Sequence, residues 1–177
     1  MKTYAALTAV GPDRPGLVDE ISEYLADRKI NIEDSRMAVL GGEFAVILLA
    51  GGPPLAVEQL LTGVEPLEKK TGLTFGLKRT RAPGETPGGP SLLYRLHATS
   101  MDHPGIVHQI ARLLRAHDIN VESLDTRVLP APYSGTPIFS MDCLLRVPAA
   151  VKISLLREEL YDLGDDLNVD VSFEPAE

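Results

Sequence analysis

Two short stretches of the chain carry residue types that could grip a small zwitterion. They are DRPGL at 13–17 and DHPGI at 102–106. In each, an acid, a proline and a glycine stand just ahead of an apolar helical pattern. A helix that starts there leaves its first backbone N–H groups free. Together with the positive end of the helix dipole, those groups can receive a carboxylate. Gly16 and Gly105 place no side chain in its way, while Asp13 and Asp102 can pair with an α-ammonium. Fifteen residues after each glycine comes an asparagine, Asn31 or Asn120, whose amide can both donate and accept. Carboxylate receptor, ammonium partner and amide together describe an amino acid. The same residues also have a purely structural reading. The acid can cap the helix, proline and glycine can serve the turn alone, and the asparagine can close a helix or open a strand.

The two stretches belong to a longer duplication. Setting Asp13 on Asp102 fixes an offset of 89 and pairs Pro15 with Pro104, Gly16 with Gly105, Val18 with Val107 and Ile21 with Ile110. Leu25 then meets Leu114, Ile30 meets Ile119, Asn31 meets Asn120 and Glu33 meets Glu122. That makes nine identities over the twenty-one positions 13–33, where chance gives roughly one or two.

The elements that must hold these residues follow from periodicity. TYAALTAV (3–10) reads as a strand ended by Gly11 and Pro12, and Leu17, Val18, Ile21 and Leu25 recur at helical spacing. INIEDSRMAVL (30–40) and EFAVILLA (43–50) flank Gly41-Gly42, a hairpin signature. A helix is expected over 54–71, broken or kinked at Gly63 and Pro66, and LTFGLKRT (73–80) closes the unit. The second copy repeats this order. Its strands are expected at 91–100, 119–129, 138–147 and 167–174, and its helices near 104–117 and 149–163. Its hairpin carries a longer loop, PAPYSGTP (130–137). That loop reads either as an ordered hairpin or as a partner contact.

The expected fold is therefore α+β: two tandem ferredoxin-like βαββαβ domains, each an antiparallel sheet with its helices on one face. The boundaries are 1–80, a Pro/Gly-rich connector at 81–91, and 92–177. Phe44, Val46 and Leu48 alternate with Ala45, Ile47 and Leu49, so the third strand is apolar on both sides. The side away from its own helices is expected to face the other copy or a second chain.

Composition narrows the function. Among 177 residues, 25 acidic side chains outnumber 17 basic ones, and tryptophan is absent. The net charge of -8 argues against nucleic acid or an anionic membrane as partner. No run has the length of a membrane span or the form of a signal peptide, and the chain reads as cytosolic. Its one cysteine, Cys143, alternates with Phe139, Met141 and Leu145 and reads as core. No histidine pair has metal-ligand spacing, and no phosphate-cradling glycine loop is present. No catalytic residue, metal or cofactor is expected.

The turn and asparagine pattern resembles ACT domains, small modules that sense amino acids and related metabolites. Two tandem copies with little else, together with SGTPIF (134–139) and GGEFAVIL (41–48), resemble the glycine cleavage system transcriptional repressor family. This resemblance implies a non-enzymatic regulator that binds a small amino acid, glycine among the candidates. The ligand sits at a seam where the turn of one module meets the second strand of its neighbour, and the seam controls a protein partner such as a transcription activator. The implied ligand residues are Asp13, Arg14, Pro15, Gly16, Leu17 and Asn31, with Asp102, His103, Pro104, Gly105, Ile106 and Asn120. A homodimer is compatible with it. The alternative is a regulatory subunit of an amino-acid-metabolism enzyme. ACT modules also precede a hydrolase in formyltetrahydrofolate deformylases, but a second ACT copy at 92–177 leaves no room for one here.

Overall fold

A computed structural model describes residues 2–84 and 89–176. Residues 85–88, inside the connector expected at 81–91, lie outside the described residues. The chain divides into two compact units, and the division falls between their last and first strands.

The first unit runs β1 (Thr3–Pro12), α1 (Leu17–Asp27), β2 (Asn31–Leu40), β3 (Glu43–Gly52), α2 (Pro54–Thr62), α3 (Glu65–Thr71) and β4 (Thr74–Thr80). Its sheet has the antiparallel order β2-β3-β1-β4. The expected helix at 54–71 is two helices. Gly63 ends the first, and Pro66, at the start of the second, needs no N–H partner there.

The second unit runs β5 (Ser91–Met101), α4 (Ile106–Ala116), β6 (Asn120–Pro130), β7 (Pro137–Pro148), α5 (Ile153–Leu167) and β8 (Asp170–Pro175), with sheet order β6-β7-β5-β8. Both units have the same strand order, with two crossing helical segments in each. No helix among the described residues is long and apolar enough to cross a membrane.

The last helix lies four residues later than the 149–163 expected from its sequence. One long-range contact and one local one explain the shift. At the front, Pro148 still pairs with Ser91, and the Ala149 N–H donates to the Pro90 carbonyl, so Ala149 and Ala150 turn despite their helix propensity. At the back, Gly164 reads as a helix stop, yet it is buried inside α5, where β8 crosses it. A Cβ there would meet the Val169 carbonyl oxygen at 2.7 Å. The helix ends instead at Asn168, in the left-handed region at φ 53°.

Each unit has its own core on the helix side of its sheet. Leu17, Ile21 and Leu25 of α1 pack over Leu7, Ala9, Phe44, Val46 and Leu48. Ile106, Ile110 and Leu114 of α4 pack over Leu96, Ala98, Met141 and Leu145. Cys143 belongs to that second core, and burial pushes its thiol up to about 11, which makes it a packing residue rather than a nucleophile. The outer sheet faces differ between the units. In the first, Val10 and Ile47 are half exposed. In the second, the matching row holds Asp125, Asp142 and His97, with His97 hydrogen-bonded to Asp142 at 3.0 Å.

Candidate functional site

The two turns are built alike. In each, glycine is the residue before the first helical one and sits at positive φ, 94° at Gly16 and 102° at Gly105. Few other residues hold that conformation without strain. Glycine is thus required by the backbone path itself. A Cβ at Gly105 would meet nothing within 4 Å, so the space over the turn is open. Pro15 and Pro104 lie two residues before the first helical residue, and they stiffen the approach to the glycine.

Asp13 and Asp102 do not cap their helices, since neither helix start receives a side-chain cap. Each acid is exposed, and its backbone N–H is spent on the neighbouring hairpin. The Asp13 N–H donates to the Gly42 carbonyl at 2.9 Å and the Asp102 N–H to the Pro137 carbonyl at 3.0 Å. The first intrahelical bonds start at Glu20 N–H to the Gly16 carbonyl and Gln109 N–H to the Gly105 carbonyl. The N–H groups of 17–19 and 106–108 therefore have no helical carbonyl behind them. Leu17 and Ile106 are each only 2% exposed, so their side chains belong to the core and only their backbone is available to a ligand.

Arg14 and His103 serve a role that short-range reading did not find. Arg14 holds Glu20 through two hydrogen bonds of 2.9 and 2.7 Å and donates to the Lys70 carbonyl at 3.0 Å. His103, at the matching position, bonds the Leu167 carbonyl through Nε2 at 3.1 Å. In both copies this residue ties the turn to the C-terminal end of the unit's last helix. Hydrogen bonding to Arg14 holds the Glu20 carboxyl below the usual carboxylate range and, in return, raises Arg14.

Asn31 and Asn120 lie far from their own turns. β1 and β2 run in the same direction on either side of β3, and Asn31 pairs with Gly51 while the turn follows Pro12, which pairs with Glu43. Asn31 and Asp13 are thus at opposite ends of a ten-residue strand, about 30 Å apart at the usual rise. Asn120 stands in the same relation to Asp102. The fold brings each turn together with its hairpin and does not bring it together with its asparagine.

The asparagines have local partners that the repeat hinted at through the identity of Glu33 and Glu122. Both glutamates occupy the bulge of the second strand, where the ladder register shifts. The Asn120 amide donates to Glu122 at 3.0 Å, and Arg146 donates to the same oxygen at 2.6 Å. In the first unit, Lys2 donates to Glu33 at 2.8 Å. The bonds from Lys2 and then Asn31 hold the Glu33 carboxyl below its usual range, and Arg146 leads the same effect at Glu122. The bond to Glu122 spends one of the two amide N–H groups of Asn120.

The ACT domain family profile matches residues 3–78. Over 166 residues, the chain is 30% identical to the glycine cleavage system transcriptional repressor of Escherichia coli (strain K12), spanning 93% of this chain and 86% of that protein. The chain belongs to the glycine cleavage system transcriptional repressor family. Among solved structures, a protein of unknown function from Galdieria sulphuraria matches over the full length of both chains at 25% identity and a TM-score of 0.81. A second, provisionally named a glycine cleavage system transcriptional repressor, matches over 98% of this chain and 97% of its own at 25% identity and a TM-score of 0.69. As a tandem ACT-domain member of this repressor family, the chain has a regulatory, amino-acid-sensing role.

Proposed function

We propose that this family member is a non-enzymatic regulator that binds a small amino acid at its two turns and, through the bound state, controls a protein partner. The observation that carries this reading is the duplicated turn: positive-φ glycine, uncapped helix N–H groups and an exposed acid, present twice, with open space above Gly105 and the Arg14–Glu20 pair beside Gly16. The ligand carboxylate sits against the N–H groups of 17–19 or 106–108, with its ammonium on Asp13 or Asp102. Pro15, Gly16, Pro104 and Gly105 shape the cradle. Leu17 and Ile106 contribute backbone, and Arg14 and His103 hold the cradle to the domain.

Asn31 and Asn120 enter the same reading only through a neighbour. A ligand that touches both an acid and an asparagine must bridge two modules, because no single unit presents them together. A chain with ACT modules at 1–80 and 92–177, joined by a connector at 81–91, holds two such modules, and a homodimer would offer more. By analogy with the repressor named above, glycine is the first ligand to test, the compartment is the cytoplasm, and the partner is the DNA-binding regulator of glycine cleavage genes. A negatively charged chain acts on transcription more readily through such a protein than by touching DNA.

A thermal-shift screen of the full chain against the twenty amino acids tests the proposal. A ligand at one hundred times its dissociation constant stabilises the bound unit by about 2.7 kcal/mol. One small amino acid is expected to raise the melting temperature, and Asn31→Ala is expected to lose the rise while the ligand-free melting temperature holds. No shift with any amino acid, or co-purification with a metabolic enzyme whose feedback inhibition the chain alters, would overturn it.

A further inference from the structure

One strand of the second unit is left uncovered on every side but one. β6 is the edge of its sheet, and all eleven of its residues are exposed. Among the described residues no strand lies along its outer flank, so a row of backbone N–H and C=O groups is open to pairing there. Its side chains are equally open. Leu124, Thr126 and Val128 stand opposite Cys143, Met141 and Phe139, which puts them on the helix side of the sheet beside the core. Those three neighbours are at most 6% exposed, whereas Leu124 and Val128 are 39% and 51% exposed. On the other face, Asp125 stands opposite Asp142 and Arg127 opposite Ser140.

The order Leu-Asp-Thr-Arg-Val at 124–128 complements itself when reversed. With a second β6 laid antiparallel so that Thr126 faces Thr126, Asp125 of each copy stands opposite Arg127 of the other. Leu124 then stands opposite Val128. Two ion pairs form on one face of the sheet and two apolar pairs on the other, each of a kind that stabilises cross-strand neighbours. Centring the pair on Asp125 or on Arg127 instead sets like charges face to face, so charge selects the register.

The first unit carries a related triplet, Asp-Ser-Arg at 34–36 of β2, but that edge is spent on itself. Arg36 donates to its own Asp34 at 2.6 Å, and the same carboxylate oxygen takes the Ser35 N–H at 2.8 Å. Pairing about Ser35 also sets Met37 against Glu33, in the bulge where the register shifts.

We propose that β6 pairs antiparallel with β6 of a second copy of this chain about Thr126, joining two four-stranded sheets into one. Identical chains related by a two-fold axis bring the same residues in reverse order, which is what this strand complements. The pairing does not depend on the amino-acid reading above and holds with or without a ligand at the turns.

Sedimentation-velocity ultracentrifugation of the full chain tests it, on wild type, Asp125→Arg, Arg127→Asp and the double exchange, with far-UV circular dichroism to check that each is folded. Wild type is expected to form a dimer. Each single variant sets like charges opposite each other twice and is expected to dissociate at least tenfold more readily. The double exchange restores opposite charges and is expected to return to the wild-type dissociation constant. A wild type that stays monomeric, or single variants that dimerise as tightly as wild type, would overturn the proposal and leave the amino-acid reading standing. A double exchange as weak as the single variants would overturn it too, since that is the outcome if the second copy offers β2 in place of β6.

Discussion

Gly16 and Asp13 are three residues apart and differ in what a substitution there would report. Gly16 sits at φ 94°, where a β-branched side chain is strained. Gly16→Val is expected to cost about 1–3 kcal/mol, seen as a lower melting temperature without any ligand. Asp13 is exposed and its side chain makes no hydrogen bond to the helix. Asp13→Ala is expected to leave the ligand-free melting temperature nearly unchanged, within about 0.5 kcal/mol, and to weaken the ligand response. Scanning calorimetry of both variants separates a residue that builds the cradle from one that uses it. Arg14 supplies a pH test. Its partner Glu20 titrates lower in the folded chain than in the unfolded one, so the stabilisation is complete above the ordinary carboxylate range. It is lost as pH falls through the lowered value. Arg14→Gln is expected to melt earlier at neutral pH and to show a shallower loss of stability on acidification. Equal acid slopes in the two proteins would show that the clamp does not contribute.

Among the elements, α5 separates what local sequence can tell from what it cannot. The strand and helix periodicities, the break at Gly63 and Pro66, and the hairpin at Gly41-Gly42 are local signals, and the structure carries them where the sequence puts them. The limits of α5 are set by Pro90, Ser91 and Val169, and the first two are about sixty residues away in sequence. Gly164 gives the matching prediction. Helix propensity alone says that Gly164→Ala stabilises by up to about 1 kcal/mol. Contact with the Val169 carbonyl oxygen reverses the sign, and an overpacking cost of about 1–3 kcal/mol is expected. Urea denaturation of the variant decides between them. The site divides the same way. Both turns were legible from the repeat. The tie from Arg14 to Lys70 spans 56 residues and that from His103 to Leu167 spans 64, so no window of sequence could show either. The distance between Asp13 and Asn31 was equally hidden, because it depends on two strands running in the same direction with a third between them.

At the scale of the whole molecule, duplication gives the chain two cradles and two asparagines in one polypeptide, each cradle remote from the asparagine of its own unit. For the proposed ligand, differential affinity between the states it distinguishes sets the size of the response. The two units are copies in topology and differ on their outer faces, apolar at Ile47 and polar at Asp142 and His97, and only the second carries the Tyr133 projection. The most direct measurement is isothermal titration calorimetry of the full chain with the amino acid found by thermal shift, for wild type, Asp13→Ala, Asp102→Ala and the double variant. Saturable binding that weakens in each single variant and vanishes in the double is the predicted result. Undiminished binding in the double variant would contradict it.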